Sequence, residues 1–456
     1  MRYYKYISII CFLLTVLLCL NACRKYLDAK PDNKMVVPAT IKDLQAMLDD
    51  VATMNLSWPI AGEIAADNYY LLSSSWSGLS SITDRENYIW KDDVSNDMDW
   101  SLSYRIVFKA NVVLEKLNDI DPAPGEKDEW LRLKGSALFF RAFSFYMIAQ
   151  EFTLPYDPNT AQSALGIPLR LTADVNETST RTSVESTYAA IISDLENAAQ
   201  LLPVNTSYKT RPSRLAAFAL LSRVHLTKGD YTKACLFADS CIKNGAQLMD
   251  YNELNPNSDE PLKRFNNEVI FHVAANYSYC LDPSICKVDT ALAVSYSSDD
   301  LRKQLFFRTN TDGSKAFRGN YDGSNSYQLF TGLATDEVLL TMAESLVRIG
   351  KNTEALQTLN DFLKRRYDNT RFIPVTDTDK DRLLSLILTE RRKELPFRAI
   401  RWGDLRRLNN SATTSVIINR QVNGATYTLP PHDPRYAMQI PNNVTAIVPT
   451  IQKNPR

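Results

Sequence analysis

The stretch ERRKELPFRAIRWGDLRR, residues 390–407, is strongly charged, yet it contains no nucleophile, no histidine and no glycine-rich turn. Helical spacing places Glu390 and Glu394 one turn apart, with arginines on neighbouring turns where they can pair with the two carboxylates. The arginines expected to pair with them are Arg391, Arg398 and Arg401. The expected buried anchors are Leu395, Phe397, Trp402 and Leu405. The pattern predicts that this stretch stabilises a helical scaffold and is not an active site.

Amphipathic helical segments fill most of the chain outward from this stretch. They are predicted over residues 41–51, 100–117, 129–152, 184–202, 213–244, 334–366 and 378–409. The sequence does not show the alternation of strands and helices that is typical of a parallel sheet. We therefore expect an all-α, mainly helical fold. Because low-complexity linkers are absent, the sequence favours one compact domain over residues 23–456.

Two of these segments share the residue offsets of a tetratricopeptide helix pair. Gly229 and Gly350 stand where the first helix of each pair ends, and Ala234 and Ala355 let the second helix pack closely. The two glycines lie 121 residues apart, whereas neighbouring repeats of this kind are about 34 residues apart. The offsets predict a scaffold of tetratricopeptide-like helix pairs that is not an uninterrupted run of repeats.

Loop-rich insertions near 53–99 and 252–333 interrupt the helical pattern, and aromatic residues stand there beside short polar ones. An aromatic face can cover the apolar face of a sugar ring, while Asp and Asn bond its hydroxyl groups. Loops on a rigid scaffold often carry binding sites. The candidate ligand-binding residues are Asp67, Asn68, Tyr69, Tyr70, Trp76, Tyr277, Tyr279, Tyr296 and Tyr321, and Tyr327 has a similar setting. Trp90 and Trp100 are expected to belong to the core instead.

Residues 1–22 predict a targeting signal. They combine Arg2 and Lys5 with an apolar run from Ile7 to Leu20, which is typical of a secretory signal. The run is too short for a membrane-spanning helix, which needs roughly 20 apolar residues. The tetrapeptide LNAC that ends at Cys23 predicts cleavage before this cysteine and acylation of its thiol, for example with palmitate. An ordinary signal peptide with an incidental cysteine is the alternative.

Charge and cysteine content narrow the function further. Without residues 1–22, which hold two basic and no acidic residues, the formal charge falls from 0 to −2. A nucleic-acid-binding protein would need an excess of Lys and Arg, so that class is not expected. Cys280 and Cys286 could form a disulfide in an exported protein or remain free thiols. Cys235 and Cys241 are expected to be small buried residues, since their spacing is not a zinc pattern.

Catalytic chemistry has little support in the sequence. The three histidines, His225, His272 and His432, form no pair with metal-ligand spacing and a nearby carboxylate. His225 occupies a repeat position that faces the partner helix, so a core role is expected for it. We therefore expect no catalytic residue, no metal site and no cofactor.

The stretch 390–407 resembles the hallmark ERR-x-EL-x-F-x-x-x-RW-x-DL-x-R of the SusD/RagB family. These are surface lipoproteins that bind glycans or peptides and accompany TonB-dependent transporters. Family-like segments also occur elsewhere: CRKYLDAKPD at 23–32, ANVVLEKL at 110–117, RPSRLAAFALLSRVHLTKGDYTKA at 211–234, RYAMQIPNN at 435–443 and QKNP at 452–455. The resemblance spans essentially the whole chain in the same order. The chain departs from the family where it has Arg398 and Ala399, since members commonly carry Glu-Gly there.

The resemblance implies a non-catalytic, lipid-anchored protein of the outer membrane that binds oligosaccharide at the cell surface. It further implies delivery of the ligand to a TonB-dependent SusC-like transporter and a ligand platform that draws on both loop-rich insertions. Arg24 and Lys25 follow Cys23 where surface-exported lipoproteins often carry acidic residues, which leaves a periplasm-facing location open. A peptide ligand, or a structural adaptor without a ligand site, are the functional alternatives.

Overall fold

The computed structural model of the protein describes Tyr3, residues 38–323 and residues 325–456. The predicted signal segment, apart from Tyr3, and the predicted lipidation site Cys23 lie outside the described residues. Residues 40–456 form one compact unit. No helix in the described part of the chain is long and apolar enough to cross a membrane.

Helices dominate this unit. They are α1 (Ile41–Leu48), α2 (Val51–Met54), α3 (Ala61–Ala65), α4 (Ser73–Gly78), α5 (Ile82–Tyr88), α6 (Asp97–Asn118), α7 (Lys127–Phe152), α8 (Val184–Leu201), α9 (Arg214–Lys228), α10 (Tyr231–Lys243), α11 (Thr290–Val294), α12 (Arg302–Phe306), α13 (Thr335–Arg348), α14 (Asn352–Leu363), α15 (Lys380–Glu394), α16 (Arg401–Leu408) and α17 (Asn442–Ile447). The predicted mainly helical fold is confirmed.

The short strands form antiparallel pairs. They are β1 (Tyr69–Tyr70), β2 (Leu165–Pro168), β3 (Arg181–Ser183), β4 (Val269–Phe271), β5 (Lys287–Val288), β6 (Phe307–Thr309), β7 (Lys315–Phe317), β8 (Leu333–Ala334), β9 (Ile418–Val422) and β10 (Ala425–Leu429). The pairs are β1 with β5, β2 with β3, β4 with β8, β6 with β7 and β9 with β10. The β4–β8 pair joins residues 269–271, within the second loop-rich insertion, to the end of that insertion.

The long helices pack as a continuous stack. Helices α6, α7, α8 and α9 contact one another in chain order, and α9 forms a helix pair with α10. Helix α10 then contacts α13, which pairs with α14 and packs against α15. The two repeat units are therefore neighbours in space although they are far apart in sequence. The residues between α10 and α13 leave the stack and return to it.

The predicted repeat turns have the expected backbone geometry. Gly229 and Gly350 adopt φ angles of 75° and 80°, in the left-handed region that glycine enters at little cost. Ala234 and Ala355 are fully buried in the second helix of each pair. Small side chains at these two positions allow the paired helices to approach closely.

The segment predicted as one helix over 378–409 is broken in the structure. Helix α15 ends at Glu394 and α16 begins at Arg401. Pro396 explains the break, because its ring blocks the helical conformation of the preceding residue and it has no N–H to donate.

 Both Phe397 and Ala399 adopt the left-handed backbone conformation, with φ angles of 58° and 53°.

The interior confirms part of the sequence reading. Trp90 and Trp100 are buried in the largest apolar cluster, as predicted. Cys280 and Cys286 could form a disulfide or remain free, and in the structure both are buried free thiols. Burial raises the pKa of the Cys280 thiol to about 12, which keeps it protonated and unreactive at neutral pH.

Candidate functional site

The charged stretch 390–407 forms part of a buried ion-pair network. Glu394 accepts hydrogen bonds from Arg366 at 2.7 Å and from Arg302 at 3.1 Å. Glu390 accepts from Arg302 at 2.5 Å and from Lys393 at 2.9 Å. All five side chains are almost completely buried, so each charge depends on its partners for solvation.

The predicted structural role of the stretch is confirmed, but the predicted pairing of its glutamates with its own arginines is wrong. Arg391 pairs with Asp404 at 2.9 Å, and Arg398 pairs with Asp336 at 3.1 Å. Arg401 makes its ion pair with a residue of the first loop-rich insertion. The break before α16 explains the difference, because Arg398 and Arg401 no longer lie on the helical face of the two glutamates. The predicted anchors Leu395, Phe397, Trp402 and Leu405 are all buried.

Three carboxylates of this network lie within metal-ligand reach of one another. The ligand atoms of Glu268, Asp336 and Glu394 are all within 4.8 Å. Arg366 bonds both Glu268, at 2.5 Å, and Glu394, and Arg398 pairs with Asp336. Because guanidinium groups already compensate these charges, we assign the cluster a structural role.

The two loop-rich insertions meet at a short backbone bridge. Trp58 pairs in parallel with Ala275, and the N–H of Asn276 donates to the Trp58 carbonyl oxygen at 2.8 Å. A second contact between the insertions is a hydrogen bond, in which the Ser278 hydroxyl donates to the Asp84 carboxylate at 2.7 Å. These contacts bring residues more than 190 positions apart in the chain into one surface region.

A cleft of about 210 Å³ lies at this junction. It is lined by Ile60, Ala61, Ile64, Ser81, Thr83, Asp84, Asn87, Ser95, Asn96, Asp97, Met98, Asp99, Asn276, Tyr277 and Ser278. The volume is below the roughly 300 Å³ at which typical small-molecule sites begin. The cleft therefore has room for only part of a ligand of that size.

The floor of the cleft is rigid. The Asp99 carboxylate accepts the N–H groups of Ile60 and Ala61 at 2.9 and 2.8 Å, which fixes the start of α3. Burial raises the pKa of Asp99, although these two hydrogen bonds act in the opposite direction. Asn87 and Asn96 exchange side-chain hydrogen bonds beside it, at 2.6 and 3.2 Å. A ligand would therefore meet a preformed polar surface.

One aromatic wall of the cleft is exposed. Tyr277 lines the cleft with 49% of its surface accessible, and its hydroxyl donates to Asp282 at 3.3 Å. The ring of Tyr327, which is 78% exposed, meets that of Tyr277 edge-on with centroids 6.0 Å apart. Tyr279 lies two residues further on and is 45% exposed. These three rings are available for contact with a ligand.

Several other predicted ligand residues are turned inward. The rings of Tyr69, Tyr296 and Tyr321 are buried. Their hydroxyl groups bond Ile64 at 2.9 Å, Lys393 at 2.7 Å and Glu268, respectively. Because the protein covers these rings, they cannot stack against a ligand, and we leave them out of the proposed site.

Asp67 and Asn68 also serve the scaffold. The Asp67 carboxylate binds Arg401 through two hydrogen bonds, at 2.6 and 2.9 Å, and pairs with Arg392 at 3.2 Å. These guanidinium groups hold the pKa of Asp67 below its usual range despite burial. Asn68 is buried and donates to Glu63 at 2.7 Å. Both side chains are thus removed from the proposed ligand surface.

Glu63 is a fully buried carboxyl next to these residues. It accepts the N–H of Ala399 at 2.9 Å as well as the Asn68 amide. Burial raises the pKa of Glu63 to about 7, so this group is partly protonated at neutral pH. Its contact with Ala399 joins α3 to the break between α15 and α16.

Tyr70 and Trp76 are half-buried and lie outside the lining of the cleft. Tyr70 belongs to β1 and pairs with Lys287 across the sheet. Trp76 lies on α4, where its indole N–H donates to the Arg85 carbonyl oxygen at 3.0 Å. Neither residue joins Tyr277 at the cleft.

The sequence reading missed the polar residues that surround Tyr277. Thr83, Asp84, Asp97 and Asn276 line the cleft, and none of them had been singled out. Asn276 directly precedes Tyr277, which is the same Asn–Tyr combination that drew attention to Asn68. That signal could have identified Asn276. The others belong to the first insertion and are brought close to Tyr277 by contacts distant in sequence, such as the bridge at Trp58 and the Ser278–Asp84 hydrogen bond.

Comparisons with known proteins identify the scaffold. Residues 25–226 match a family model described as starch-binding and associating with the outer membrane, and residues 246–456 match the model of the SusD family. The chain belongs to the SusD/RagB family.

Relatives of this SusD/RagB chain match over most of its length. It is 24% identical to the SusD-like protein P38 of Formosa agariphila, covering 92% of this chain and 94% of that protein. It is also similar in structure to a putative sugar binding protein from Bacteroides vulgatus, with a TM-score of 0.76, 21% identity and coverage of 91% and 98% of the two chains. A SusD superfamily protein from Bacteroides thetaiotaomicron gives a TM-score of 0.73 at 24% identity, covering 91% of this chain and all of that one. At these identities the solved structures establish the fold.

A larger cleft of about 560 Å³ lies elsewhere on this SusD/RagB fold, between α15, α16 and residues 413–416. Its described lining contains no aromatic side chain, but it includes Arg392, Lys393 and Arg401. Because size alone does not supply a stacking surface for a sugar, we regard the smaller cleft beside Tyr277 as the better candidate.

His225 has the core role that its repeat position predicts. It is buried and stacks on Phe237 with ring centroids 5.5 Å apart. Its Nδ1 lies 3.4 Å from the Asp230 carboxylate, while burial lowers the pKa of His225 to about 4. The imidazole is therefore neutral at pH 7.

Proposed function

We propose that this protein is a non-catalytic binding protein that captures oligosaccharide at the cleft beside Tyr277. The observation that carries the proposal is the combination, in one preformed cleft, of an exposed tyrosine ring with hydroxyl, amide and carboxylate side chains. A tyrosine face covers the apolar face of a sugar ring, and the polar groups fix the orientation of its hydroxyls. The description of the matching family as starch-binding supports the same ligand class.

In the proposed site, tyrosine rings stack on the sugar and polar side chains bond its hydroxyl groups. Tyr277 provides the stacking surface, and Tyr327 supports it from the side and extends the aromatic surface. Thr83 and Asn276 are placed to bond sugar hydroxyls inside the cleft. Tyr279 lies close enough along the chain to contact a further sugar unit outside it.

Isothermal titration against a panel of oligosaccharides tests this function. Tyr277→Ala should weaken binding about 10-fold, which corresponds to roughly 1.4 kcal/mol. Tyr208→Ala is the matched control, because Tyr208 is 60% exposed and lies outside the cleft lining. A protein that binds no oligosaccharide, or whose binding is equally affected by both variants, would refute the proposed site. Binding of peptides in place of oligosaccharides would favour the peptide alternative.

We further propose that a lipid on Cys23 anchors the protein to the outer membrane at the cell surface, where it delivers its ligand to a TonB-dependent SusC-like transporter. The family description, which names association with the outer membrane, supports the location. Labelling of cells with an alkyne analogue of palmitate should mark the wild-type protein but not Cys23→Ala. Protease treatment of intact cells distinguishes surface display from a periplasmic location. Co-purification of the transporter with the tagged protein tests the partner.

A further inference from the structure

The charged residues that line the cleft beside Tyr277 are all acidic. Three of its lining residues are acidic, namely Asp84, Asp97 and Asp99. Among the described residues of the lining there is no lysine, arginine or histidine. A fourth carboxylate, that of Asp282, is outside the lining and accepts a hydrogen bond from the Tyr277 hydroxyl.

The carboxylates differ in how strongly they are already engaged. Asp99 is held by the backbone N–H groups at the start of α3. The Asp84 carboxylate accepts the Ser278 hydroxyl and has no basic partner in the described part of the chain. The Asp97 side chain has no hydrogen-bond or ion-pair partner within residues 38–323 and 325–456.

 In the described chain, therefore, no basic side chain neutralises Asp97.

Several buried carboxylates elsewhere in the described chain have a basic partner. Buried carboxylates such as Asp67, Glu344 and Glu394 are each paired with an arginine. The larger cleft between α15 and α16 carries three basic residues in its lining. The lining of the larger cleft also includes the acidic residue Asp381, so its charge is mixed, whereas the charged residues that line the cleft beside Tyr277 are all acidic.

We propose, on the basis of the function proposed above, that this cleft selects sugar units that are neutral or carry an amino group and rejects uronate or sulfated units. An acidic group brought beside Asp84 and Asp97 would be repelled by both carboxylates in a partly desolvated site, where charge interactions are stronger than in water. A hydroxyl group can donate to the same carboxylates, and an ammonium group can form an ion pair with them. Selection therefore combines attraction of donors with repulsion of anions.

The test uses an array of neutral, amino, uronate and sulfated oligosaccharides. It includes N-acetylated and deacetylated chito-oligosaccharides of one length, which differ in charge but keep the same linkage. The wild-type protein should bind neutral or amino members at least 10-fold more tightly than acidic members of similar size. Tyr277→Ala should weaken these interactions, which assigns them to the cleft.

Asp97→Lys reverses one charge at the cleft, and it should reduce the preference against acidic oligosaccharides at least 10-fold. Asp92→Lys makes the same change at an exposed residue outside the lining and should leave the preference unchanged. Tyr277-dependent binding of a uronate or sulfated member as tight as that of the neutral members would overturn the proposed selectivity while leaving the binding function intact. An array without any Tyr277-dependent binding would refute the binding function, and the selectivity would fall with it.

Discussion

Replacement of Asp67 by Asn tests whether this residue serves the scaffold or the ligand. Its carboxylate makes two hydrogen bonds to Arg401 and an ion pair with Arg392. The Asp67 side chain is 13% exposed and that of Arg401 is 9% exposed. In the variant, Arg392 keeps its 3.2 Å contact with Asp289, whereas Arg401 loses the carboxylate that holds two of its N–H groups.

The expected loss of stability is about 3 kcal/mol. Removal of one partner from a buried ion pair typically costs about 3 to 5 kcal/mol, since the other charge stays buried. The lower end applies because the amide oxygen of Asn can still accept a hydrogen bond from Arg401. For a compact unit of about 400 residues, an unfolding entropy of about 2.1 cal/mol/K per residue converts this loss into a fall in Tm of about 3 to 4 °C.

Differential scanning calorimetry measures the shift, and titration of the folded variant measures its ligand affinity. Asp377→Asn is the control for an exposed ion pair, because Asp377 and its partner Arg382 are 42% and 70% exposed. That change should cost at most about 1 kcal/mol. Asp67→Asn should leave oligosaccharide affinity unchanged within about 2-fold, since Asp67 lies outside the cleft lining. An unchanged Tm together with lost binding would refute the assignment of Asp67 to the scaffold.

Three further predictions follow from local geometry. Burial raises the pKa of Glu63 to about 7, above its unfolded value near 4.5. The free energy of unfolding of the wild-type protein should therefore fall by up to about 3 kcal/mol as the pH rises from about 4.5 to 7. Glu63→Gln should remove this part of the pH dependence of the unfolding free energy, measured by denaturation at each pH. Ala399→Gly should raise stability by about 0.5 to 1 kcal/mol, because Ala399 has a φ angle of 53°, whereas Ala355→Gly within α14 should lower it by a similar amount; calorimetry distinguishes the two. Cys280 and Cys286 should react with a thiol reagent only after unfolding, and a count of two missing thiols in the unfolded, unreduced protein would contradict their free state.

Much of the scaffold could be predicted because it rests on local rules. Gly229 and Gly350 mark helix ends through a backbone conformation that glycine favours, and this signal is complete within a few residues of sequence. The contact between α10 and α13 could not be predicted in the same way. It depends on where the chain returns after the second insertion, and that position is set by tertiary contacts such as the β4–β8 pair.

The ion pairs of residues 390–407 show a similar limit. Helical periodicity correctly predicted buried anchors such as Trp402, but it assumed that the helix continued through Pro396. The break redirects Arg398 and Arg401 toward Asp336 and Asp67, which lie more than 60 and 330 positions away in the chain. Sequence spacing cannot identify partners at such separations.

The candidate site was only partly predictable for a related reason. Composition drew attention to both insertions, which line the proposed cleft, but it could not separate exposed rings such as Tyr277 from buried ones such as Tyr296 and Tyr321. In each case the neighbouring residues are short and polar. The difference arises from which face of the loop packs on the scaffold, and that depends on contacts distant in sequence.

The bridge between Trp58 and Ala275 has a consequence for redesign of this protein. The second insertion begins and ends at helices that contact each other, so a different loop could be grafted there without opening the stack. The cleft, however, is completed by the first insertion through the bridge and through Ser278 and Asp84. An exchange of specificity between relatives would therefore need both pieces to be transplanted together, because either piece alone would present half of a site to a mismatched neighbour.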